Sequence, residues 1–266
     1  MTIWRNNIHL MDEIRRIAEA AGYLWMRGWA ERNGGNISVD VTSFLSEEEK
    51  GFPALSEAVL LPEAMPGLEG YVLYVTGTGK RMREVAKDPL ANGAIIRITS
   101  GGRSFEILGE SWIQPTSELP SHLSIHHKLR TLDRKDRVVL HTHPTELIGM
   151  THCKPFADSG NLTRLLWGMI PECRMFVPKG IGVVPYQTPG SVELAQATLA
   201  ELEKHEVVCW EKHGVLAVGE DVIECFDTID TLNKAVQIYL SARMAGYEPE
   251  GISDRQLDEL AESLDL

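Results

Sequence analysis

The chain has 266 residues, of which 43% are hydrophobic and 24% charged, an ordinary globular composition that excludes wholesale disorder. Its 26 Lys and Arg against 38 Asp and Glu give a net charge of −12, which disfavours a nucleic-acid partner yet leaves room for a small phosphorylated ligand held by a few amides and cations. No stretch reaches the ~20 apolar residues that cross a bilayer, and the first residues lack the pattern of a signal peptide, so no membrane partner and a cytoplasmic, reducing location are expected.

Residues 10–29 place Leu10, Ile14, Ile17, Ala21, Leu24 and Trp25 at helical spacing, with Asp12, Glu13 and Arg15 between them, and predict an amphipathic helix. The turn signal Asn33-Gly34-Gly35-Asn36 leads into the alternating strand 37–41. Residues 42–69, with prolines at 53, 62 and 66, read as an insertion with little regular structure. A buried strand over 71–75 runs into the tight turn Thr76-Gly77-Thr78-Gly79-Lys80 and a short helix. Residues 95–99 and 104–108 form a hairpin around Gly101-Gly102, and a helix over about 118–132 follows Pro115-Thr116-Ser117. Strands are expected at 138–140, 183–186 and 207–210. A helix over about 221–245 and another opened by the capping box of Ser253 and Gln256 close the chain.

Several strand pairs are too close for a crossover helix, so a layered α/β domain with a mixed, largely antiparallel sheet is expected. No repeat or persuasive boundary is visible, and residues 1–266 read as one domain. Cys153, Cys173, Cys209 and Cys225 have no CxxC spacing, and three of them sit in or beside apolar runs, as small core fillers do.

His141-Thr142-His143 follows an apolar strand. Residues i and i+2 of a strand point to one face, so both imidazoles can converge on one ion. His213, just beyond another strand and before Gly214, is a third candidate; three protein ligands with an open position describe a catalytic metal site. Taken alone, the pattern equally suits surface or hydrogen-bonded histidines. His122 and His126 are helically spaced and can flank a site, whereas His9, His127, His152 and His205 look like ordinary polar positions. Glu118 is also what a helix N-terminus favours, and Glu172 reads equally as a solvated loop charge. The 33–36 and 76–80 loops offer backbone N–H groups as a phosphate pocket requires, but have no Walker A spacing and also suit hairpin turns.

In their order along the chain, several segments together resemble the class II (zinc) sugar-phosphate aldolases. They are Glu31-Arg32-Asn33-Gly34-Gly35-Asn36, the 76–80 turn, Pro115-Thr116-Ser117-Glu118-Leu119-Pro120, His141-Thr142-His143, Thr163-Arg164-Leu165-Leu166-Trp167, Glu172-Cys173, the 190–198 segment and His213-Gly214-Val215. The long insertion and Thr-Ser-Glu-Leu-Pro point to the rhamnulose-phosphate branch. Pro144 stands where a smaller residue is expected, so the loop after His143 is expected to differ in shape.

The resemblance implies one Zn2+ per chain on His141, His143 and His213. It implies Glu172 as the proton-transfer carboxylate, with Glu118 beside the metal as ligand or alternative base. Asn33, Gly35, Asn36, Thr78, Gly79 and Ser117 would cradle the substrate phosphate. It further implies a three-layer α/β/α fold around a mainly antiparallel sheet, a homotetramer with sites near subunit contacts, and retro-aldol cleavage of a phosphorylated ketose. For this branch the ketose is L-rhamnulose 1-phosphate, and the products are dihydroxyacetone phosphate and L-lactaldehyde. Rivals within the fold are another sugar-phosphate aldolase, an epimerase, a dehydratase or a non-catalytic adducin-like module; a scaffold has no reason to keep three histidines.

Overall fold

The structure is a computed structural model and describes residues 3–109 and 112–265. The chain forms an α/β fold, a mixed sheet flanked by helices, and resolves into two compact units. The first comprises Met1–Thr142 with Val218–Cys225, and the second His143–Ala217 with Phe226–Leu266. Among the described residues no helix is long and apolar enough to cross a membrane.

In the first unit, strands β1 (Asn36–Asp40), β2 (Val59–Leu60), β3 (Val72–Thr76), β4 (Gly93–Ile98), β5 (Ser104–Leu108) and β6 (Val138–Thr142) lie in the order β2-β5-β4-β3-β1-β6. Every pairing among them is antiparallel. The expected first helix spans Ile8–Met26 and buries Leu10, Ile14, Ile17, Ala21 and Leu24 of the apolar stripe read from the sequence, whereas Trp25, also read into it, is exposed. The insertion holds more structure than its composition suggested. Ser46 closes a capping box on the one-turn helix Glu47–Lys50, and β2 extends the sheet edge beside β5.

One face of this sheet carries Leu73, Val75, Ala94, Ile96, Ile98, Phe105 and Ile107, which cluster with Leu119 and Leu123. Helix Leu119–Thr131 therefore covers that face. Asn36, Ser38 and Asp40 of β1 share it, because Ser38 stands opposite Val75 and Asp40 opposite Leu73, and residues paired across strands project to the same side. All five residues of β1 are buried, which alternation alone does not reveal.

In the second unit, β7 (Ile181–Val184) runs parallel to β8 (Val207–Trp210), joined through helix Val192–Glu201, and β8 turns back into β9 (Gly214–Gly219), whose last two residues are counted with the first unit. β7 sits two residues earlier than expected because Pro185 has no N–H for the ladder. Strand β9 and the helices Thr145–Thr151, Ser159–Met169, Pro171–Phe176 and Val192–Glu201 were not anticipated. Helices Val222–Met244 and Asp254–Ser263 were, the latter with the Ser253–Gln256 box formed. Cys173, Cys209 and Cys225 are buried free thiols, and Cys153 is exposed.

Gly35 enters β1 at φ 76°, and a Cβ there would lie 2.8 Å from the His141 carbonyl oxygen. Gly28 has a similar φ of 73° with open space around it. Gly35→Ala should therefore lose about 1–3 kcal/mol more than Gly28→Ala in urea unfolding, since only the first adds a backbone collision to the left-handed strain. Equal losses would reject the close approach.

Candidate functional site

The start of β1, the end of β3 and the end of β6 meet at one edge of the first unit's sheet, because both pairings of β1 are antiparallel. Asn36 stands directly across from His141, so the two side chains share the face that helix Leu119–Thr131 covers. The 76–80 turn packs on the segment before that helix: Thr78 N–H donates to the Gln114 carbonyl at 2.8 Å, and Thr116 N–H to that of Thr76 at 2.9 Å. The Thr76 hydroxyl in turn accepts the Ile37 N–H at 3.1 Å. The loops that the sequence singled out are thus gathered around His141.

Glu118 is the N-cap position of the helix, where a carboxylate is favoured by the helix dipole, and does not cap with its own side chain. It instead accepts a hydrogen bond from Asn36 Nδ2 at 2.8 Å. The other end of that amide, Asn36 Oδ1, meets His122 Nε2. Asn36, expected at the phosphate, is buried with both ends of its amide so engaged. The Ser38 hydroxyl lies 2.7 Å from His122 Nδ1 and 2.8 Å from His126 Nε2. His122 and His126, read as possible flanking groups, are thus fully buried behind Glu118. Burial pushes His122 down to about 4 against the opposing charge of Glu118. It pushes His126 down to about 3, and His122 and Arg130 act in the same direction. Ser38 was missed because a polar residue on an alternating strand reads as solvent-facing; the i, i+4 histidines opposite it were the available signal.

In the second unit, His213 sits in the β8–β9 turn, where Lys212 adopts φ 61° and its N–H donates to the Thr151 hydroxyl at 2.9 Å. The His213 ring lies 5.1 Å from that of Trp210 and 5.5 Å from that of His143. Ligand nitrogens of His141, His143 and His213 all lie within 4.8 Å of one another; His141 is buried and the other two are half-buried. Metal–imidazole bonds of about 2.0–2.1 Å in tetrahedral geometry set ligand nitrogens about 3.3 Å apart. The three borderline donors fit a divalent first-row ion with small ring adjustments.

Asn33, Thr78, Gly79 and Ser117 are exposed, and Gly35 is half-buried. Glu172 lies in the first turn of helix Pro171–Phe176 rather than in a loop, and is exposed in the single chain.

A family model described as "Class II Aldolase and Adducin N-terminal domain" matches residues 15–240. The chain is 46% identical over 265 residues to a rhamnulose-1-phosphate aldolase of Bacteroides thetaiotaomicron, covering 100% of this chain and 98% of that protein. It is 35% identical over 248 residues to a rhamnulose-1-phosphate aldolase of Escherichia coli, covering 92% and 90% respectively. A crystal structure of a sugar-phosphate aldolase from Thermotoga maritima superposes with a TM-score of 0.79 at 36% identity, covering 91% of this chain and 100% of that one.

Because His122 and His126 are held below the unfolded imidazole value of about 6.5, the unfolded chain takes up their protons first as pH falls. Their contribution is present above about pH 6.5 and is lost towards the folded values. Two protons correspond to a slope of up to about 2.7 kcal/mol per pH unit. Between pH 6.5 and 5, His126→Gln should lower the slope of unfolding free energy against pH by up to about 1.4 kcal/mol per unit. Identical slopes in the two proteins would show that His126 does not titrate in this way.

Proposed function

Because the chain belongs to the class II aldolase and adducin N-terminal domain family, we propose that it is a zinc-dependent aldolase. In this reading it cleaves L-rhamnulose 1-phosphate to dihydroxyacetone phosphate and L-lactaldehyde. The observation that carries the reading is the cluster of three imidazoles. Rhamnulose-1-phosphate aldolases among the relatives support the substrate. The family match runs through both compact units, which supports reading them as one working domain.

Retro-aldol cleavage removes the proton of a carbinol hydroxyl, breaks the adjacent carbon–carbon bond and leaves negative charge on the ketone fragment. A divalent ion on His141, His143 and His213 would supply Lewis-acid neutralisation of that charge. The remaining work belongs to side chains. Asn33, Gly35, Thr78, Gly79 and Ser117 hold the phosphate from exposed loops, using short polar groups and backbone amides. Asn36 serves the site by aiming Glu118. Glu118 would stand near the ion as a further ligand or alternative base, and Glu172 moves the proton between the carbinol oxygen and the ketone fragment's carbon.

A proton-transfer carboxylate works best when shielded from water, which raises its pKa. Glu172 is exposed in the single chain, and Phe176 on the same helix is 63% exposed. A homotetramer in which a subunit contact covers that helix supplies the shielding, and the cytoplasm is the proposed location.

Zinc-loaded protein given L-rhamnulose 1-phosphate should release dihydroxyacetone phosphate, read by a coupled reductase. His143→Ala should lose both metal and activity; a full complement of zinc with normal turnover in that variant would remove the metal assignment. Glu172→Ala should retain zinc while turnover falls roughly 10²–10⁴-fold. A fall under about threefold would transfer proton movement to another group.

A further inference from the structure

We propose that a one-way chain of buried hydrogen bonds, His126 to Ser38 to His122 to Asn36, aims the Glu118 carboxylate, making Ser38 and His122 positioning residues for the reaction. The effect on turnover rests on the aldolase reading above; the direction of the chain does not.

The direction follows from counting hydrogens. An ionised carboxylate only accepts, so Asn36 must turn Nδ2 to Glu118, as it does at 2.8 Å. That leaves Asn36 Oδ1, an acceptor, facing His122 Nε2, which must therefore carry a hydrogen. A neutral imidazole has one N–H, so His122 Nδ1 is a bare lone pair. The single hydroxyl hydrogen of Ser38 goes to it across 2.7 Å. Ser38 Oγ has no second hydrogen to give, so it accepts from His126 Nε2–H at 2.8 Å. His126 Nδ1 is then a lone pair at the end of the line, and that atom is buried with no hydrogen-bond partner among the described residues. The orphan atom is where the counting puts it, and it is an acceptor, less costly to leave unmatched than an N–H.

Every donor in the line points towards Glu118, and successive hydrogen bonds polarise one another in the same sense. Burial keeps both rings neutral, so the line adds no charge beside the metal ligands. The line also fixes the Asn36 amide against flipping, because a flip would set its oxygen against the carboxylate. Groups that hold the neighbours of a metal centre typically account for 10–100-fold in activity.

Two measurements on the zinc-loaded protein decide the matter. Long-range 15N–1H spectra should show His122 and His126 both as the neutral Nε2–H tautomer from pH 6 to 8. An Nδ1–H or a cationic ring at either position would overturn the chain whatever the enzyme does. In kinetics, His122→Phe fills the space without a donor or acceptor. It should lower kcat roughly 10–100-fold with zinc content unchanged and KM within about twofold. His122→Gln offers both a donor and an acceptor and should recover most of that loss. Equal kcat in the two variants would overturn the positioning role. Should His122→Phe not fold, Ser38→Ala removes one hydroxyl only and should give the same fall in kcat, whereas wild-type kcat in it would overturn the role. A wild type that does not cleave the ketose at all counts against the proposed function, and the tautomers then decide the chain alone.

Discussion

A buried polar seam between one strand and one helix sets the geometry on which the first unit depends. Residues two apart on β1 (Asn36, Ser38 and Asp40) meet residues four apart along the helix (Glu118, His122, His126 and Arg130). Two strand residues rise about 6.7 Å and four helical residues about 6 Å, so the two ladders stay in step over three contacts. The seam ends in the ion pair of Asp40 with Arg130 at 3.8 Å, where Arg130 also donates to the Asp136 carbonyl and stacks on Tyr71. A one-residue slip of β1 would set Ile37 and Val39 against the histidines and push three polar side chains into the opposite face. Each unmatched buried polar group costs about 1–3 kcal/mol. The seam therefore selects a single register.

What that register fixes is the position of Glu118. With β1 locked, Asn36 faces His141 across the ladder, Gly35 leaves no room for a Cβ beside the His141 carbonyl, and the helix begins where the polar seam begins. His141 and the carboxylate are thus set by one strand rather than by loops, and rigid elements hold such geometry better than mobile ones. Asn33, Thr78 and Ser117, which lie in the chain next to β1, β3 and the helix, are exposed. They suit the binding of a ligand arriving from water. The net charge of −12 does not exclude an anionic ligand, since amides and short polar groups can bind one locally against the overall field.

Much of this was legible in the chain itself. The apolar run 138–140 declared the strand that carries His141, although that strand ends at Thr142 and leaves His143 just beyond it; the hydrophobic stripe declared the first helix, and Gly101-Gly102 declared the β4–β5 hairpin. What was not legible has common causes. The helices Thr145–Thr151 and Pro171–Phe176 are 7 and 6 residues long, too short to form on propensity, so they exist through tertiary packing. Strand β9, Gly214-Val215-Leu216-Ala217-Val218-Gly219, opens and closes on glycine, which reads as a turn at each end until the β8 partner is in place. The seam was hidden for a different reason. A polar residue at every second position looks the same whether its face meets water or a row of histidines, and only the partner's i, i+4 spacing separates the two.

The cost of the seam bears on the choice between a catalyst and a scaffold. Two imidazoles are kept neutral by burial, and one of them ends in a lone pair without a partner. Replacing such a row with apolar residues of similar volume is often neutral or stabilising. A module that only needed to fold or to dock would gain from that exchange at Ser38, His122 and His126, since Leu73, Val75, Leu119 and Leu123 already supply a core on the same face. A catalyst would not gain, because the row ends on a carboxylate held by the residue that faces His141, and at a reacting centre a displacement of about 1 Å can cost 10²-fold in rate. Stability given up at one place and recovered as orientation at another is the pattern of an active site, and here both ends of that exchange lie on the same two elements.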